Sequence, residues 1–274
     1  MEIGFSSYSG ADFLLFYGLL IVAAVFAGLW IPAFLRPDGK LAKVEDPELL
    51  AFLAGGQPRF AESVVAALFG RRDLRVEKKR IIKSVHAQGQ IRAEQALLRV
   101  VGDISWNAAK SSLDGHAEAA ERSLVHKGLL IPPNERLAFR LIPTLPYAFL
   151  LLLGIFRWQA GSAEGEPGGY LTMMMILVAV LGIIRMAKFN PRTRAGEDVL
   201  SRAQGDAQRL RSATTPGETG LAVSLFGTGI LVGTPYAPLH AMRQQNSGAG
   251  ADGGGSDGGG DGGCGGGGCG GCGG

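Results

Sequence analysis

The chain has 274 residues, of which 46% are hydrophobic and 19% charged, with a formal net charge of +3. Its mean hydropathy of +0.17 is too apolar for an ordinary soluble domain with so many charges, so apolar residues must be gathered into spans with the charges between them. All three cysteines fall in the last eleven residues, which excludes a disulfide framework for the body of the chain.

Residues 1–12 carry Glu2 and Asp12 but no Lys or Arg. Phe13 to Leu35 is a run of 23 residues without a charge. At about 1.5 Å per residue it covers roughly 34 Å, enough for a hydrocarbon core of about 30 Å. Trp30 suits the interface, and Pro32 falls in the last turn. A cleaved signal peptide is the competing reading, but the preceding residues are acidic and the run is too long. Residues 13–35 are therefore read as transmembrane helix 1.

Residues 36–140 hold 18 Lys/Arg against 13 Asp/Glu and read as a helical module. Asp46-Pro47-Glu48 is a helix start, with Asp as N-cap and Pro at the first helical position. Gly55-Gly56 ends that helix. A second helix follows Pro58, with Phe60, Val64, Val65 and Leu68 at helical spacing, and stops at Gly70. Leu74, Val76 and Ile81-Ile82 flank Glu77 to Arg80, which predicts a small hairpin with a charged tip. Further helices are predicted over 93–104 and roughly His116 to Lys127, the second ending at Gly128 before a short strand, Leu129 to Ile131. Helix, glycine, strand occurring twice gives a winged-helix-like pattern. Arg71, Arg72, Arg75, Lys78, Lys79, Arg80 and Lys83 would then be a nucleic-acid surface. Membrane tethering and the lack of aromatics among these cations favour a solvated wing, or attraction to the anionic inner leaflet, instead, so no nucleic-acid partner is expected.

Residues 141–158 read as transmembrane helix 2, 159–169 as an extracytoplasmic loop rich in Gly and Pro, and 170–187 as transmembrane helix 3. With Arg157 counted in the acidic loop, and Arg185 read with Lys188 as an end residue that snorkels to the head groups, no charged residue lies inside an apolar run, so there is no sign of a proton relay or ion path. The Lys/Arg bias orients the chain as a multi-pass protein of the bacterial cytoplasmic membrane. Its N-terminus is then outside, with residues 36–140 and 188–246 cytoplasmic. Residues 221–232 are apolar again. They are read as a buried helix, with a fourth span as the alternative, which would move the tail outside.

No nucleophile elbow, phosphate loop or zinc spacing joins His86, His116, His126 or His240 to other candidate groups. The exception is the tail, residues 247–274, which holds 18 glycines after Ser247. It cannot bury apolar area and is read as disordered. Cys264, Cys269 and Cys272 are spaced C-x4-C-x2-C, part of a plant-type ferredoxin spacing that lacks its fourth thiolate. Three thiolates can bind a soft metal, Cu(I) or Zn, completed by His240 or a second subunit. Alternatively, glycine beside each cysteine lets the backbone enter a Cys-modifying enzyme as an extended strand. A low-complexity segment without specific chemistry remains the plain alternative.

The chain resembles a family of uncharacterised bacterial membrane proteins with a conserved membrane domain and a Gly/Cys-rich C-terminus. The resemblance is carried by Asp46-Pro47-Glu48-Leu49, Ala54-Gly55-Gly56, Leu221 to Gly227 and the tail from Gly262 to Gly274. It implies no activity. Such tails are associated with cysteine-bearing precursors matured by iron-dependent oxidative enzymes. The expectation is a mainly α, polytopic membrane protein with three spans and possibly a fourth, partnered by the lipid bilayer. Its function is expected to be non-enzymatic carriage of the Cys/Gly tail, with a homo-oligomer or other membrane partner allowed. The alternatives are an interaction scaffold, whose basic module binds a partner and whose tail is a passive spacer, and a membrane enzyme.

Overall fold

The structure is a computed structural model and describes residues 10–40, 42–77, 80–163, 169–212 and 215–247. The chain is mainly helical, with three helices long and apolar enough to cross a membrane, as expected of a membrane protein.

Helix α1 (Gly10–Leu35) is apolar on every side. Phe13, Tyr17, Ile21 and Ala24 form a buried stripe at spacings of three and four, the period of one helix face. They pack on Tyr147 and Leu150 of α6 (Leu145–Ala163) and on Leu171 and Val178 of α7 (Gly169–Ala187). Gly28 continues the stripe where α1 meets α6: a Cβ there would stand 2.8 Å from the Tyr147 hydroxyl. Small residues that admit a neighbour this closely are how helices associate in lipid, where apolar burial gives no drive. Tyr17 donates its hydroxyl to the Leu150 carbonyl at 3.0 Å. The outward faces stay apolar, with Leu15 76% and Phe34 77% exposed, a surface that lipid covers at no cost and water does not. α6 is preceded by α5 (Pro133–Leu141) and a 3-10 turn over Ile142–Thr144.

The remaining elements build a separate core. α2 (Pro47–Gly70) starts at Asp46, whose carboxylate accepts from the Glu48 N–H at 3.0 Å. Gly55 and Gly56 break it, Gly56 with φ of 65°, so it is two helices in tandem. Phe60, Val64, Val65 and Leu68 of its second half are buried. β1 (Leu74–Glu77) pairs antiparallel with β2 (Arg80–Lys83), Leu74 opposite Lys83 and Val76 opposite Ile81. α3 (Arg92–Arg99) is shorter than the periodicity predicts, because Val100 turns extended. α4 (Trp106–His126) begins ten residues before the predicted start, because Ser105 caps it through the Ala108 N–H at 3.2 Å. Its Leu113, Ala117, Ala120 and Leu124 are buried. Residues 129–131 do not join the hairpin: Leu130 bridges to Arg192, and the Ile131 N–H donates to Pro191.

α8 (Arg194–Asp206) starts on the Thr193 side chain. The link out of α1 runs across its first turn, with Arg194 and Ala195 donating to the carbonyls of Pro37 and Asp38. The apolar stretch 221–232 folds as α9 (Thr219–Phe226) and a 3-10 turn over Thr228–Leu231. Eight residues rise about 12 Å, far short of a bilayer. α9 instead lies on the second half of α2, where Gly220 comes within Cβ contact of Ala67. α10 (Ala237–Ser247) closes this core with Leu239 and Met242.

Candidate functional site

Cys264, Cys269 and Cys272, with the Lys78 and Lys79 tip of the hairpin, lie outside the described residues. The last described element before the tail is α10 (Ala237–Ser247), and its grip on the module is a buried carboxylate. Glu62 of α2 is 2% exposed. Its Oε1 accepts from Arg243 Nε of α10 at 2.7 Å, and its Oε2 faces Arg59 Nε at 3.4 Å. Two cations on one buried carboxylate offset its desolvation, and removing either leaves part of that cost standing. Arg59 also donates to the Val223 carbonyl in α9 at 3.3 Å. Gly227, with φ of 86°, brings its backbone against the Arg59 guanidinium, where a Cβ would clash. One ion cluster thus fastens α2, α9 and α10 together.

His240 belongs to the same region. Its Nδ1 lies 3.1 Å from the Thr228 hydroxyl. A hydrogen bond at one ring nitrogen sets the ring's orientation and leaves Nε2 as the nitrogen for a metal. Cys264 follows His240 by 24 residues, a length of chain that spans at most about 80 Å, so a return of the thiols to this ring is sterically open. Among the described residues no group of three or more His, Cys, Asp or Glu side chains is placed to hold a metal. His86 and His126 are exposed and His116 is half-buried on α4.

The basic residues flanking the hairpin separate into two kinds. Arg71 turns inward, pairing with Glu94 at 2.7 Å and Asp73 at 3.2 Å. Lys83 donates to the carbonyls of Leu98 and Val100, closing the end of α3. Arg72, Arg75 and Arg80 are exposed. Burial pushes the Glu48 carboxyl up to about 7, with Asp46 and Glu94 adding repulsion.

One charged side chain was missed by the sequence reading. α6 runs on to Ala163, so Arg157 lies within the helix and not in the loop, and the expectation that no span carries a charge is corrected. Arg157 is buried, with its guanidinium 5.5 Å from the centre of the Phe13 ring. An arginine inside residues 141–158 was the available signal.

No protein-family model, curated protein or solved structure matches the chain.

Proposed function

We propose that this chain is a membrane-anchored, non-enzymatic carrier of its C-terminal Cys/Gly segment. Cys264, Cys269 and Cys272 are the thiols that a modifying enzyme acts on, or that hold Cu(I) or Zn. As thiolates they are the strong nucleophiles and soft ligands of the sequence. The tail, residues 247–274, has no apolar area with which to fold alone, so its chemistry resides in those three side chains. In this reading the N-terminus is outside a bacterial inner membrane. The module, a winged-helix-like unit with the β1–β2 hairpin as its wing, and the tail lie on the cytoplasmic side.

The observation that carries the proposal is the clamp of Arg243 on buried Glu62. The chain commits a buried ion cluster to α10, the element from which the tail leaves. A spacer of no consequence needs no such fixed origin.

The test is the mass of the peptide Gln244 to Gly274, released by trypsin after Arg243 from protein made in its native host. A discrete shift, or a metal that co-purifies with wild type and is lost when all three cysteines become serine, supports the proposal. An unshifted peptide with three free thiols and no metal overturns it.

A second reading, an interaction scaffold, is favoured by two nearly bare side chains. Val85 is 94% and Val101 93% exposed, in the loops on either side of α3 and on the module that carries exposed Arg72, Arg75 and Arg80. Under this reading deletion of residues 248–274 is mild, and reversal of those three charges is severe.

A further inference from the structure

The three spanning helices end, on the side of the module, around a cleft of about 110 Å³. Four cations line it: Arg36 just beyond α1, Arg140 in the last turn of α5, Arg185 in the last turn of α7, and Lys188 just past it. Among the described residues no carboxylate lines it. Phe139 and Phe189 contribute apolar wall. Arg36 is held from behind by an ion pair with Glu197 of α8. Arg140 lies over the Phe189 ring, 5.0 Å from its centre, so aromatic stacking fixes its guanidinium.

Arg185 is the telling residue. A cation at the end of a lipid-facing helix ordinarily snorkels to water with its whole head group. The Nε of Arg185 is instead buried, with no hydrogen-bond partner among the described residues. A buried donor without an acceptor is costly and calls for a missing partner. Arg36 is already offset by Glu197, but Arg140, Arg185 and Lys188 line the cleft with no carboxylate among the described lining residues, so the partner that suits this site is an anion. It must also reach a site flanked by the exposed apolar side chains of Leu141 and Leu145, at the level where head groups meet acyl chains.

We infer that this cleft binds the phosphate of an anionic phospholipid, with the Arg140 and Arg185 guanidinium forks on its oxygens and Lys188 as a point charge at the rim. Arginine forks match phosphate oxygens in pairs, and basic pockets between helices at a membrane surface are suited to such head groups. The inference rests on the three helices crossing a bilayer and stands apart from the proposal for the tail.

The test uses the full chain in non-ionic detergent, titrated with phosphatidylglycerol or phosphatidylcholine and read by native mass spectrometry. Wild type should retain phosphatidylglycerol in preference to phosphatidylcholine. Each cation removed should weaken that retention about five-fold: about five-fold for Lys188→Gln, whose side chain is exposed, and about 25-fold for Arg140→Gln with Arg185→Gln. Arg122→Gln, exposed on α4, should change nothing. The Lys188 variant keeps the test valid if the double variant fails to fold. Equal retention of the two lipids overturns the inference, as does unchanged retention in Lys188→Gln. If millimolar inorganic phosphate stabilises the protein against heat as well as the lipid does, the ligand is a soluble anion and the lipid assignment falls.

Discussion

Removing the guanidinium of Arg192 should loosen the middle of α2 out of proportion to the rest of the module. The break at Gly55-Gly56 takes the Leu53 carbonyl away from its helical donor four residues on. The Ala54 carbonyl fares worse, because its donor would be residue 58, a proline with no N–H. Arg192 supplies both bonds: Nε donates to Leu53 at 2.6 Å and Nη2 donates to Ala54. Both residues are buried. A buried acceptor left unpaired costs about 1–3 kcal/mol, so Arg192→Met, which keeps the apolar stem, should cost about 2–5 kcal/mol. Arg192→Lys restores one donor of two and should recover about half. The measurement is amide hydrogen exchange of the full chain in detergent. Faster exchange should centre on residues 50–60, before changes appear in α1, α6 or α7. A loss below about 0.5 kcal/mol, or faster exchange spread evenly over the chain, would refute the capping argument.

Glu48 should make the module prefer acid. Its folded carboxyl titrates at about 7 against an ordinary 4.5, so folding takes up a proton between those values. Stability is full below pH 4.5 and is lost as pH rises through 7. Glu48→Gln removes the penalty and should stabilise by about 1–2 kcal/mol at pH 8 and by nothing at pH 4, after discounting for partial solvent screening. Denaturant unfolding at the two pH values checks this. Glu62→Ala should cost about 3–5 kcal/mol, because two arginines lose their shared carboxylate. Arg243→Ala should cost less, because Arg59 stays on Glu62, yet it should free α10, seen as faster exchange over residues 237–247. Gly28→Leu meets the Tyr147 hydroxyl and should cost about 1–3 kcal/mol by overpacking, read as a lowered Tm in detergent. Changing all three cysteines to serine should abolish function while membrane insertion is unaffected, checked by complementation and by fractionation.

What the sequence shows plainly is whatever its local rules govern. The apolar run from Phe13, the second and third runs, the Asp46-Pro47 start and the Gly55-Gly56 break all appear where length, capping and glycine place them. These signals act within about four residues along a chain. Errors of extent have the same local origin. Ser105 is a good N-cap ten residues before the helix was expected to begin, and the apolar residues 113, 117, 120 and 124 fit one face once the helix starts there.

The features that hold the candidate sites were not legible, because each joins residues far apart in the chain. Arg192 reaches a carbonyl 139 residues away, and Arg243 reaches a carboxylate 181 residues away. No local pattern distinguishes these arginines from the exposed Arg72 or Arg75. The stretch 221–232 shows what resolves such cases. Its composition suits lipid and core equally, and periodicity does not separate the two. Gly227, which must adopt positive φ beside Arg59, ends α9 after eight residues. A helix of that length buries its apolar side chains on α2 and is too short to cross a bilayer. Among the described residues, Arg243 on Glu62 ties α10 to the module, so the last described helix before the thiols belongs to the module's core and not to the apolar helices.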